Sequence, residues 1–228
     1  MIIIAPMNYT IVLSASAVFA TAVLGIAHAS QPGFTTPLWR GSPGAEYQSW
    51  EVFTVATDDG KGNLPDQSGA AGSATLTQLS ADAFLTGSGN IYNPAGISSF
   101  IVRDAAAEPV GLISFQARTL GAELDYSSVR LTYDLGSGVQ SLTTVRIEND
   151  RGTILGASVS SEWNWDLRGL GVSTYEISFT AAGTSLSFDS ATLDTLPAAS
   201  TVPEPSTWAL AGIGLGIVLI QSRRLRRA

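Results

Sequence analysis

Between residues 129 and 189 the chain repeatedly alternates apolar and polar side chains, and this pattern limits its fold more than any other feature. Val129, Leu131, Tyr133 and Leu135 alternate with Arg130, Thr132 and Asp134. Val145 and Ile147 alternate with Arg146 and Glu148, and Trp163, Trp165 and Leu167 with Glu162, Asn164 and Asp166. Tyr175, Ile177 and Phe179 alternate with Thr174, Glu176 and Ser178, and Leu186 and Phe188 with Ser185, Ser187 and Asp189. A period of two marks strands that bury one face. Gly136-Ser137-Gly138 and Asn149-Asp150-Arg151-Gly152 are turn signals between them. Earlier strands are expected near residues 47–55, 74–79, 99–103 and 110–117. No sustained 3.6-residue period runs through residues 30–202. The expected fold is all-β: an antiparallel β-sandwich, specifically a jelly roll of about eight strands. Two polar, Gly- and Asn-containing stretches, 58–73 and 87–96, read as long loops, the usual carriers of binding residues.

The two ends follow different rules. Residues 11–26 are uncharged and rich in Val, Leu, Ile and Ala, and Ala27-His28-Ala29 follows. An apolar run closed by a small-x-small site reads as a secretory signal peptide cut after Ala29 by signal peptidase. No Lys or Arg precedes the run, which leaves the terminal amine as its only positive charge. At the other end Pro203, Glu204 and Pro205 precede an uncharged stretch from 207 to 222, headed by Trp208. Arg223, Arg224, Arg226 and Arg227 close the chain. The prolines interrupt regular structure ahead of the run. The apolar helix is short against a hydrocarbon core of about 30 Å, so flanking polar residues and snorkelling arginines must help it span. Trp208 suits one interface and the arginines the cytoplasmic one, which puts the bulk of the chain outside. The resulting division is signal peptide 1–29, β-sandwich 30–196, linker 197–206, transmembrane helix 207–222 and basic cytoplasmic tail 223–228.

The stretch VPEPSTWALAGIGLGIVLIQSRRLRRA resembles the PEP-CTERM sorting domain, in which a Pro-Glu-Pro motif precedes an apolar helix and an Arg-rich end. The resemblance implies recognition and processing by an exosortase. It also implies passage through the inner membrane to the cell surface or extracellular matrix, in bacteria that make extracellular polysaccharide. The stretch WNWDLRGLGVSTYEISFTAAGTSLSFDSATLDT resembles, more weakly, the closing strands of galactose-binding-like jelly rolls. It implies a carbohydrate-binding scaffold and adds Asp194 as a structural ligand for calcium.

Charge and residue type then exclude several chemistries. Residues 30–202 carry 18 acidic and 8 basic side chains, a net charge of about −10. Such a surface lacks the basic footprint of a nucleic-acid binder. The chain has no Cys, and its one His, His28, lies in the signal segment. This removes Ser-His-Asp and Cys-His catalysis and thiolate or imidazole metal sites from the mature domain. A Ser-Lys pair would need Lys61, the only lysine, which sits in a Gly-rich loop. Glycoside hydrolysis needs two carboxylates at a set separation; Glu51, Glu123, Glu162, Asp166 and Glu176 are the candidates, and nothing marks a pair among them. On strands their expected place is the solvated face. Calcium accepts oxygen ligands; Asp58, Asp59, Asn63 and Asp66 cluster in one loop without EF-hand spacing.

Flat aromatic faces stack on sugars. Trp163 and Trp165 share a strand face with Leu167 and belong to the core. Trp39, with Arg40 beside it, and Tyr92 are the candidates for carbohydrate contact. The leading expectation is a non-enzymatic, exosortase-sorted surface or matrix protein that binds polysaccharide or forms part of the matrix. Behind it stand a calcium-dependent carbohydrate-binding module and, more distantly, an exported glycan-active enzyme.

Overall fold

The computed structural model describes residues 33–68, 73–152 and 158–198. The signal segment with Ala27 and Ala29, the Pro-Glu-Pro motif, the apolar run with Trp208 and the terminal arginines lie outside the described residues. Among the described residues no helix is long and apolar enough to cross a membrane.

The described chain is all-β, with thirteen strands in two antiparallel sheets. The strands are β1 (Glu46–Trp50), β2 (Gln67–Ser68), β3 (Thr75–Gln78), β4 (Phe84–Leu85), β5 (Ile91–Asn93), β6 (Ser99–Ala105) and β7 (Val110–Gly121). After them come β8 (Leu124–Asp134), β9 (Val139–Leu142), β10 (Ile147–Gly152), β11 (Ser158–Asp166), β12 (Thr174–Ala181) and β13 (Leu186–Pro197). The larger sheet runs β10-β11-β7-β13-β1-β2, with β5 pairing the first part of β13 and β4 pairing β5. The smaller runs β3-β6-β12-β8-β9. From β6 to β13 the chain changes sheet at every connection except the hairpins β8–β9 and β10–β11, so each sheet is stitched from distant segments.

One core lies between the sheets. Phe115 and Phe188 of the larger sheet meet Phe179 and Phe100 of the smaller, with ring centroids 5.2 Å (Phe115–Phe179) and 4.6 Å (Phe100–Phe188) apart. Trp50, Trp163 and Leu167 are fully buried and Trp165 nearly so, as the shared strand face predicts. Burying these large aromatic surfaces is the main drive for the two sheets to associate.

Several expectations need correction. The strand expected over 47–55 ends at Trp50, because the Asp66 carboxylate takes the N–H groups of Glu51 and Val52 at 2.5 and 2.7 Å in place of a ladder partner. The expected loop 87–96 contains β5, which pairs β13. Loop 58–73 contains β2 and the bridge Asn63–Leu76. Val145 and Ile147 face solvent rather than a core. There the inward position belongs to Arg146, whose guanidinium lies 3.7 Å from the Tyr126 ring centroid and donates to Ser161 Oγ.

Candidate functional site

The two sheets present different outer faces. On the larger sheet two adjacent rows run across the strands: Glu162, Gln116, Thr192 and Ser49, and beside them Asn164, Ser114, Asp194 and Tyr47. Except for Asn164 all are buried. Their cover is the segment before β1, residues 33–45. Thr35 exchanges two hydrogen bonds with Gln116, its N–H donating to Oε1 and its C=O accepting from Nε2, both at 2.8 Å. Thr35 Oγ1 also donates to Glu162 at 2.6 Å. Arg40 makes a bidentate pair with Asp194 at 2.5 and 2.7 Å and stacks over the Tyr47 ring at 4.0 Å. Asn149 enters from β10, where a bulge between Glu148 and Asp150 frees it from the ladder; its Nδ2 donates to Gln116 at 2.9 Å and Glu162 at 3.2 Å.

The electrostatics follow from these contacts. Burial pushes the Glu162 carboxyl up, but hydrogen bonds from Thr35, Asn164, Asn149 and Ser114 outweigh it and hold the group below its ordinary range. Burial raises Asp194, Arg40 opposes it, and the negative charge of Glu162 adds to the rise, leaving Asp194 above its ordinary value. A carboxylate whose lone pairs are all engaged is a structural acceptor and has no free site for a substrate proton.

The sequence candidates therefore divide. Arg40 and Asp194, expected as a sugar contact and a calcium ligand, are brought together as an ion pair beneath the covering segment. Glu162, expected on a solvated face, is buried because that segment closes over it. Trp39 is half-buried in the turn that leads to Arg40. Tyr92 is half-buried with its ring edge-to-face against Phe84, centroids 5.5 Å apart. The calcium candidates do not converge: Asp58 accepts from the Gly60 N–H, Asp59 from Lys61 and Gly62, and Asp66 from Glu51 and Val52. Asn63 clasps the loop, donating to the Val55 and Leu76 carbonyls and accepting from the Thr54 and Val55 N–H groups. Among the described residues no group of three or more acidic or histidine side chains is placed to hold a metal ion.

The remaining carboxylate candidates differ in setting. Glu123 pairs with Arg151 and accepts from the Tyr126 hydroxyl, Asp166 pairs with Arg168, and Glu176 with Arg103. Glu51 is exposed. The cluster of Arg146, Glu148, Arg151 and Glu123 was not legible from the sequence, since Glu123, in the turn between β7 and β8, meets Arg151 of β10 only in the fold.

The outer face of the smaller sheet is open over one row, Thr75, Arg103, Glu176 and Thr132 across β3, β6, β12 and β8; in the next row, Thr77, Ile101, Ser178 and Arg130, Thr77 and Ile101 are buried. A depression of about 510 Å³ lies over the first row and its neighbours Ala105, Thr174 and Val139, and a second of about 270 Å³ over the Ile101–Ser178 end.

Residues 201–227 match the PEP-CTERM protein-sorting motif. The match marks an exported protein that an exosortase processes and sorts to the cell surface. No curated protein matches the chain.

Proposed function

We propose that this is a surface or extracellular-matrix protein whose jelly-roll-like β-sandwich is non-catalytic and associates with extracellular polysaccharide after exosortase sorting. The observation that carries the reading is the sorting motif at residues 201–227. On this reading residues 1–29 are removed by signal peptidase, residues 207–222 hold the chain in the inner membrane while the Pro-Glu-Pro motif is presented, and the sandwich is released outside. The chemistry supports a non-catalytic domain. The buried carboxylates Glu162 and Asp194 are engaged by their own neighbours, and Glu123, Asp166 and Glu176 are paired with arginines. An acidic domain suits a hydrated matrix, because its net charge opposes self-precipitation.

Two measurements test the proposal. The intact mass of the native protein from the extracellular fraction should correspond to a chain starting at Ser30 and shortened near Pro203; a chain ending at Ala228 overturns the sorting part. A hydrolysis screen on soluble polysaccharides should show no products. Products that vanish in Glu162→Gln or Asp166→Asn, with the fold intact, would replace it by the glycan-active reading.

A further inference from the structure

We propose that the outer face of the smaller sheet is the glycan-contacting surface, and that it takes a neutral, extended polysaccharide chain laid along β6 and β12. The inference rests on the polysaccharide association proposed above and gives it a location.

Three observations converge there. First, residues 33–45 already cover the central polar rows of the larger sheet, through Thr35 and Arg40. On the smaller sheet Thr174, Glu176, Ser178 and Thr180 of β12 all reach solvent in part or in full. Second, the two depressions lie in line. The register places Glu176 beside Arg103 and Ser178 beside Ile101 on the same strands, so the floor runs from Thr174 to Thr180, about 20 Å at about 3.3 Å per residue. Ala105 and Thr174, paired directly, are short enough to leave the larger hollow between β3 and β8. An elongated trough on strands fits an extended chain better than a compact ligand.

Third, the lining is mixed in the way a sugar is mixed. Hydroxyls of Thr75, Thr132 and Ser178 can both donate and accept, as sugar hydroxyls do. Arg103 and Glu176, 3.0 Å apart, offer charged donors and acceptors at one point, and such hydrogen bonds are the stronger kind. Val139, an exposed side chain at the edge of the larger hollow, supplies apolar surface for ring C–H groups. Charge selects the neutral ligand. Within a domain of about −10 net charge, this face balances Arg103 and Arg130 against Glu176 and Asp134. An acidic chain would gain little here and be repelled elsewhere.

The test is electrophoresis of the processed native protein in gels containing dextran, galactomannan, alginate or the polysaccharide of its own matrix. Wild type should be retarded by a neutral polymer and not by alginate. Ala105→Trp fills the floor of the larger hollow, and Ser178→Trp that of the smaller. Arg103→Ala removes the cation from a side chain that is 57 % exposed, so it disturbs no packing. Each should weaken retardation by about tenfold or more, as loss of a charged hydrogen bond or of access implies, with thermal unfolding unchanged. Retardation of wild type that survives all three variants, or that Trp39→Ala or Tyr92→Ala abolishes instead, overturns the location and leaves polysaccharide association standing. Retardation by alginate alone overturns the neutral ligand. No retardation by any polymer overturns the association itself.

Discussion

Arg40 and Asp194 stand 154 residues apart in the chain and form the most buried ion pair among the described residues, with side-chain exposures of 11 % and 0 %. Burying both charges is costly, and removing one partner is costlier still because the other keeps its desolvation cost without its counter-charge. Arg40→Ala should therefore destabilise the domain by about 3–5 kcal/mol in urea unfolding. The double replacement Arg40→Met with Asp194→Leu should recover most of that loss, and no recovery would mean the pair holds the covering segment by geometry rather than by charge balance. Glu162 has the opposite balance. Its carboxyl is held below its ordinary value of 4.5, so the folded state prefers the charged form more than the unfolded chain does. Its contribution is complete above that ordinary value and is lost as pH falls through the lowered one. Asp194, raised above its ordinary value of 3.8, acts in reverse: its contribution is present at low pH and is lost as pH rises through the raised value. Glu162→Gln should thus lower stability near neutrality by about 1–3 kcal/mol and flatten the acid limb below the ordinary carboxylate value. Melting curves against pH would show it; an unchanged acid limb would place the loss on other carboxylates.

At the scale of elements, alternation was enough to read β8, β11, β12 and β13 and to assign Trp163, Trp165 and Leu167 to the core, because a period of two states which residues share a face. It does not state what lies over that face. Glu162 was expected in water for that reason: its burial depends on Thr35, which no local pattern links to β11. The bulge that turns Asn149 toward Gln116 and Glu162 is equally silent, since an inserted residue leaves no compositional mark. Loop 58–73 offered candidate cation ligands because Asp and Asn serve both to ligate ions and to bind backbone; here Asp58 and Asp59 close turns, while Asn63 and Asp66 tie the loop to the backbone of residues 51–55. One backbone position is testable directly. Gly121 ends β7 with φ at 77°, and a Cβ there would meet the Ser185 carbonyl oxygen at 2.6 Å. Gly121→Ala meets both the left-handed strain and a clash with backbone that cannot swing away. It should cost more than about 1 kcal/mol, and hydrogen exchange should quicken first at Ala122, whose N–H donates to that same carbonyl. An unperturbed variant would show that the β7–β8 connection can shift to accommodate the methyl.

For the whole molecule, the folded domain and its sorting signal carry separate information, and they can be separated by experiment. The domain's core is closed by its own strands, and the match to the sorting motif begins at residue 201, after the last described strand ends at Pro197. Changes in the motif should therefore leave the sandwich's unfolding unaltered while changing where the protein ends up. Replacing Pro203, Glu204 and Pro205 together by alanine removes the motif that the processing enzyme is expected to recognise, yet keeps the apolar run of 207–222 and the four terminal arginines. A chain with an intact span and a basic cytoplasmic end is held in the membrane. The expected outcome is a full-length C-terminus ending at Ala228, found in the membrane fraction, with the domain's melting temperature equal to that of the processed protein. A second variant with Arg223, Arg224, Arg226 and Arg227 replaced by glutamine tests the other half of the logic. Without its cytoplasmic stop the short span should slip through, and unprocessed protein should appear outside the cell. If the alanine variant is instead shortened and exported like wild type, the Pro-Glu-Pro motif is not what the processing enzyme reads, and release of the domain must depend on the apolar run and its arginines alone.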